Sequence, residues 1–235
     1  MKKVLHLGKE RGHANFGWLD SHHSFSFGNY FHPEKIQFGA LRVLNDDSVE
    51  AGMGFGTHPH DNMEIISIPL SGELAHKDST GTNGVIQTGE VQIMSAGSGI
   101  RHSEFNHSLK DKVNFLQIWI LPKERNISPR YEQKAFAKEG KLNSFQTVVS
   151  PNEPNAVWIN QDAYFSLSLL EEGKELDYKL KNPNHGLYVF LINGKLNAED
   201  QPLERRDAVG IWETEQVHFK AEKESEFLVI EVPMN

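Results

Sequence analysis

Two pairs of potential metal ligands stand two residues apart in this chain, His58 with His60 in Gly56-Thr57-His58-Pro59-His60 and His102 with Glu104 in Ile100-Arg101-His102-Ser103-Glu104. On an extended strand, side chains at i and i+2 leave the same face with their bases roughly 6–7 Å apart. Two such pairs on facing strands can therefore converge on one ion. Three imidazoles and a carboxylate form a mixed N/O donor set suited to Fe(II), Mn, Co, Ni, Cu or Zn. A single H-x-H more often marks half-buried histidines in ordinary hydrogen bonds. The second pair, and the glycines before each (Gly52, Gly54, Gly56; Gly97, Gly99), which let backbone bend or approach closely, turn the reading toward a metal centre. Four protein groups at most leave one or two coordination positions open, which makes such a centre catalytic in type. A chelating, enolate-like substrate could then bind the ion directly, be activated toward O2 and lose its proton to Glu104.

The elements that must position these groups read as strands. Phe25 and Phe27 alternate with serines, as in a half-buried strand closed by a Gly28-Asn29 turn. Residues 38–44 read as a strand ended by Asn45-Asp46-Asp47, whose side chains favour turns. Further strands are expected at 63–70, 73–78, 84–87, 90–94 and 114–121. Residues 122–141, charged and prolyl, read as a connector with at most short helical turns. Serial strands resume from 145 to 232. Such spacing is the sign of an all-β sandwich or barrel, here in two units, 1–122 and 123–235. The second unit repeats the rhythm of the first without an H-x-H. Its His185 and His218 read as packing or surface residues, which fits an internal duplication with one half stripped of metal. His22, His23 and His32 read as structural or as lining a pocket rim, and Trp18 and Leu19 as anchors.

Composition narrows the function classes. The chain has 235 residues and no cysteine, which removes disulfides, thiolate metal sites and cysteine nucleophiles, while its 12 histidines are a surplus. A formal charge of −8 lacks the concentrated positive field that nucleic acid requires. No stretch resembles a signal peptide or a membrane span, so a soluble cytoplasmic protein with neither nucleic-acid nor membrane partner is expected.

With these residues in hand, the chain resembles the pirin family of the bicupin fold. The first cupin motif corresponds to Gly52, His58, His60, Glu64 and Gly72. The second corresponds to Gly89, Gly97-Ser98-Gly99, His102 and Asn106, with Gly97 in place of the usual proline. The pirin likeness covers nearly the whole chain. It is carried by Gly17-Trp18-Leu19, Ser24-Phe25-Ser26-Phe27-Gly28-Asn29-Tyr30, Phe38-Gly39-Ala40-Leu41-Arg42-Val43, Gly56-Thr57-His58-Pro59-His60, His76-Lys77-Asp78-Ser79, Gln92-Ile93-Met94-Ser95-Ala96-Gly97, His102-Ser103-Glu104 and Phe115-Leu116-Gln117-Ile118-Trp119. The resemblance implies two cupin (jelly-roll) β-barrels with metal in the N-terminal one only, held by His58, His60, His102 and Glu104, with iron the usual ion.

Many metal cupins instead use the first-motif glutamate, here Glu64, and strand parity leaves both carboxylates able to face inward. The resemblance selects Glu104 and gives Glu64, like His76, a place at the rim. Similar bacterial proteins are quercetin 2,3-dioxygenases, which open the flavonol C-ring with loss of carbon monoxide. The expected function is therefore a metal-dependent flavonol or enediol dioxygenase acting as a monomer on a small aromatic substrate and O2. Glu104 would serve as ligand and base, and Phe25, Phe27, Met63, Met94 and Phe115 would orient the substrate. The alternative is a metal-containing regulatory protein that binds a transcription factor or metabolic enzyme without turnover. A structural metal with no open position is the third reading.

Overall fold

A computed structural model describes residues 1–234. Its strands form three sheets, joined by short loops and two 3-10 turns, Gly8–Glu10 and Lys138–Lys141. Among the described residues no helix is long and apolar enough to cross a membrane.

The first barrel is made by two sheets. One runs Gly54–His60, Ile100–Asn106, Glu73–Asp78, Asn83–Gln87. The other runs Arg130–Ala135, Glu90–Ser95, Glu64–Ser71, Val113–Ile120, Leu41–Val49, Leu19–His23, Gly12–Asn15. Alternation along the second sheet divides its side chains between two destinations. Leu19, Val49, Val113 and Phe115 point inward to meet Leu74 and Ile86 of the first sheet. Leu44, Ile66, Ile68, Ile93, Leu116 and Ile118 point outward, where they pack on Phe165, Tyr188, Phe190, Leu228 and Ile230 of the second half. A sheet covered on both faces loses its polar alternation, and six consecutive residues of Glu64–Ser71 are buried.

The second half curls one nine-stranded sheet into its own barrel. Its longest strands, His185–Ala198 and Gln216–Pro233, pair along most of their length with register shifts around Leu191, Asn193 and Lys195. Those bulges let Gln216–Pro233 bond Glu175–Lys179 with its first part and Tyr164–Leu170 with its second. Gly194 sits there at φ 101°, and a Cβ would strike the Glu224 carbonyl, so the bend requires glycine. The interior is filled by Tyr178, Leu187, Val189, Leu196, Phe219 and Phe227. These side chains form a buried apolar core.

Sheet pairing crosses the division expected at 122/123 in both directions. Lys2–His6 adds to the edge of the second half's sheet, with Val4 opposite Gly210. Arg130–Ala135, expected as part of a connector, is a strand on the edge of the first half's sheet, with Tyr131 opposite Met94. Its charges hide the strand pattern because they pair along one face, Glu132 with Arg130 at 2.6 Å and with Lys134 at 3.1 Å.

Two other local expectations are corrected. The Leu41–Val49 strand does not stop at Asn45-Asp46-Asp47 but runs through it. Each polar side chain finds a partner from a distant segment, His23 for Asn45, Arg206 for Asp46 and Ser21 for Asp47, and these bonds override the turn preference. Phe25 and Phe27 follow a strand, Leu19–His23, rather than lying in one. Around them the backbone folds back through Ser26 N–H to the Lys35 carbonyl and a tight Phe27–Tyr30 turn. Phe25 thereby enters the core between the halves beside Tyr188, and Phe27 reaches Trp119.

Candidate metal centre

Strand register assembles the histidines. On the adjacent strands Gly54–His60 and Ile100–Asn106, His58 lies opposite His102 and His60 opposite Ile100, and a bulge after His102 sets Glu104 opposite Phe55. Gly97, in the left-handed region at φ 50° and closed over by the Ile127 carbonyl, turns the chain into the second of these strands. The three rings lie together, with centroids 4.8 Å apart for His58 and His60, 4.5 Å for His58 and His102, and 4.9 Å for His60 and His102. Nε2 of His58 and Nε2 of His102 face each other at 3.1 Å. His58 Nδ1 lies 2.8 Å from the Gly56 carbonyl. That contact places the proton on Nδ1 and leaves the Nε2 lone pair directed at the other rings.

Burial, reinforced by the neighbouring histidines, lowers His60 to about 4 and His102 to about 3. Both rings are therefore neutral near pH 7, the form that offers a lone pair. Glu104 is 2% exposed. It accepts from Ser67 Oγ at 3.1 Å and Gln117 Nε2 at 2.7 Å, and burial pushes it up to about 7. Ligand atoms of His58, His60 and His102 lie within 4.8 Å of one another, and a second set of the same kind, His76, His102 and Glu104, shares His102.

These donors fit a divalent cation. Only one proton can lie between the facing Nε2 atoms, and wherever it sits the buried His102 Nδ1 has no partner among the described residues. A cation among the rings would take the Nε2 lone pairs of His58 and His102 together, in place of the single proton that can lie between them.

Beside the rings opens a cavity of about 530 Å³. Its outer wall is aromatic, including Phe16, Trp18, Phe27, Tyr30, Phe55 and Trp119, and its inner wall is polar, formed by Ser21, His23, Asn45, Asp47, Glu104 and Gln117. Trp119 meets His60 edge-on at 5.0 Å and Phe27 at 5.4 Å, tying the histidine cluster to the mouth.

Of the expected substrate neighbours, Phe27 lines this cavity. Phe25 is in the core between the halves, Phe115 lies deeper in the first barrel, and Met94 and Met63 pack around Ile65 and Ile100. Glu64 points away from the histidines because Ile65 takes the inward position. On the reverse face it accepts from Ser95 Oγ at 2.7 Å and from the Asn160 backbone N–H at 3.2 Å, joining the two halves. His76 is not at the rim but buried behind His102, with Nε2 3.0 Å from Asp78 Oδ2 and its ring 5.3 Å from that of His102. Sequence reading missed Trp119, Tyr30, Gln117 and Asp47. The signal for Gln117 was a lone polar residue inside the apolar run 115–120, whereas Asp47 lay in a polar run that gave none.

Asp47 is buried in the cavity wall, with Ser21 as its hydrogen-bond donor, and burial raises it to about 7 from 3.8. A carboxyl whose folded value exceeds its unfolded one stabilises the fold at low pH, and that contribution is lost as pH climbs through the folded value. Asp47→Asn keeps the acceptor for Ser21 without the charge. In chelator-treated protein the variant should match wild type near pH 4 and exceed it by about 2–4 kcal/mol at pH 8, measured by urea unfolding. Equal stability at pH 8 would count against a buried, strained charge.

The Pirin family pattern matches residues 5–120, and that of the quercetinase C-terminal cupin domain matches residues 147–232. Quercetin 2,3-dioxygenase of Escherichia coli (strain K12) is 41% identical over 231 residues, 97% of this chain and 98% of that protein. A pirin-like protein of Caulobacter vibrioides is 35% identical over 94% of this chain and 95% of its own. The crystal structure of bacterial pirin YhhW from Escherichia coli in complex with nickel(II) superimposes with a TM-score of 0.94 at 39% identity, covering 100% of both chains. Paired barrels, a histidine cluster in the first, and likeness along nearly the full length of these relatives place the chain in the pirin family.

Proposed function

We propose that the protein is a metal-dependent dioxygenase of the quercetin 2,3-dioxygenase type, which opens the heterocyclic ring of a flavonol or related enediol with O2 and releases carbon monoxide. The observation that carries this reading is the pairing of neutral histidines and a buried carboxylate with an aromatic-walled cavity of about 530 Å³. That volume lies in the range that encloses a small organic ligand, and flat aromatic walls suit a flat polyphenol. The name of the Escherichia coli relative supports the same chemistry.

His58, His60 and His102, with Glu104, would hold one divalent ion, for which we favour iron(II). Nickel(II) in the related Escherichia coli pirin supports a divalent ion of this class. When bound, the ion supplies Lewis acidity at a substrate oxygen and, if redox-active, a route for electrons to O2. The remaining work belongs to side chains. Raised to about 7, Glu104 is a competent acceptor for the proton of an acidic enolic hydroxyl, and its bonds from Ser67 and Gln117 fix its orientation. Trp119 and Phe27 offer edges and faces for the substrate rings, and the aromatic wall excludes bulk water from the reacting end.

Iron-loaded protein should consume O2 when quercetin is added and release carbon monoxide in equal amount, followed by oxygen electrode and gas analysis. Chelation or His102→Ala should stop both. Absence of quercetin-dependent uptake by fully metal-loaded protein would overturn the assignment and favour the regulatory alternative.

A further inference from the structure

The alternation that sends Ser21, Asn45 and Asp47 into the aromatic cavity sends Asp20, Asp46 and Ser48 through the same sheet to its reverse face. There a separate cleft of about 470 Å³ forms between the halves, reached by Arg11 from one side and by Arg205 and Arg206 from the other. Its charge does not balance. The Arg11 and Arg206 side chains are 3% and 13% exposed and share one carboxylate, Asp46, whose Oδ2 lies 3.5 Å from Arg11 Nη1 and 2.8 Å from Arg206 Nε.

The other bonds of these guanidiniums go to neutral acceptors. Arg11 donates to the His22 carbonyl at 2.8 Å, and Arg206 donates to the Ile192 carbonyl at 3.0 Å and to Asn114 Oδ1 at 3.2 Å. Nε of Arg11 is buried with no partner among the described residues. Asp20, the other acid lining the cleft, is already bonded to His13 at 2.6 Å. Three arginines thus face two carboxylates in a protein whose formal charge is −8. A buried cation without its own counter-charge is unfavourable.

A clamp between the halves accounts for Asp46 and one arginine. It does not account for the second or for the orphaned Nε. The Phe190 ring, 5.2 Å from the Arg11 guanidinium and 6.0 Å from that of Arg206, compensates only in part.

We propose that this cleft binds an oxyanion of the phosphate class, recognised by Arg11, Arg205 and Arg206, with Ser48 and His22 as further hydrogen-bonding groups. Planar guanidiniums match two oxygens of such an anion at once, which lysines could not do. The cleft has room beyond a bare phosphate, and the ligand is either free phosphate or the phosphate end of a small ester.

Isothermal titration of metal-loaded protein with inorganic phosphate and with glucose 6-phosphate tests this. One equivalent should bind, more weakly as salt rises. Tighter binding of the ester identifies an organic phosphate, and equal binding identifies the free ion. Arg205 is exposed, so Arg205→Ala should leave the ligand-free melting temperature unchanged while weakening binding at least fivefold. Arg11→Lys, which keeps the charge but loses the fork, should weaken it at least tenfold. Phosphate held at the metal centre would survive Arg205→Ala and vanish on chelation. No saturable binding of either probe, or affinity indifferent to Arg205→Ala, overturns the proposal.

Discussion

Glutamine in place of Glu104 is expected to lower the quercetin-dependent oxygen uptake of metal-loaded protein by a factor of about 10²–10⁴, the range lost when a positioned acid–base group is removed. The substitution preserves shape and removes both the basic oxygen and the charge. Ser67 can still donate to the new amide oxygen. Gln117, which now donates to Glu104 at 2.7 Å, would face an NH2 group and must rotate. Because Ser67 Oγ also lies 3.1 Å from Gln117 Oε1, the three side chains rearrange as a unit. Rates should therefore be compared at measured metal content. A loss of turnover that merely tracks lost metal would assign Glu104 a holding role, and unchanged turnover would remove it from the chemistry.

Truncation of Phe190 to alanine should destabilise the protein by about 3–5 kcal/mol, as for large aromatic residues in a core. For a chain of this size that corresponds to a melting temperature lower by roughly 6–20 °C. Phe190 is fully buried where the two halves meet, and its ring lies under two cations. Its loss removes apolar contact with the reverse face of the first barrel's sheet and leaves Arg11 and Arg206 less compensated. A single transition should move, because the same cluster contains side chains of both halves. Calorimetry that resolved two transitions, only the later-sequence half being weakened, would show that the halves do not share a core.

Much of this was legible in the chain itself, for physical reasons that also explain what was not. Glycine-flanked His58, His60 and His102 could be placed on one face because a strand's period is fixed, and the structure brings their rings to within 5 Å of one another. Serial strands were equally visible. Period alone does not say which face is the interior when a sheet is covered on both sides. Glu64 therefore read as a neighbour of the metal centre, although Ile65 takes that direction. The same ambiguity hid Gln117 and Trp119. Asn45-Asp46-Asp47 read as a turn because local preference was all the sequence offered, while the partners that keep it extended, His23, Arg206 and Ser21, come from distant segments. Arg130–Ala135 was hidden by charges that pair with one another on a sheet edge.

The placement of Lys2–His6 on the Ala208–Trp212 edge has a consequence for how the protein is made. During synthesis the early strand must wait, unpaired, until nearly the whole chain has left the ribosome. A sheet closed by so remote a partner forms slowly, and in the interval its open border can capture a strand from another nascent copy. Expression yield at high temperature should thus depend on chaperone supply more than the finished fold's stability would suggest.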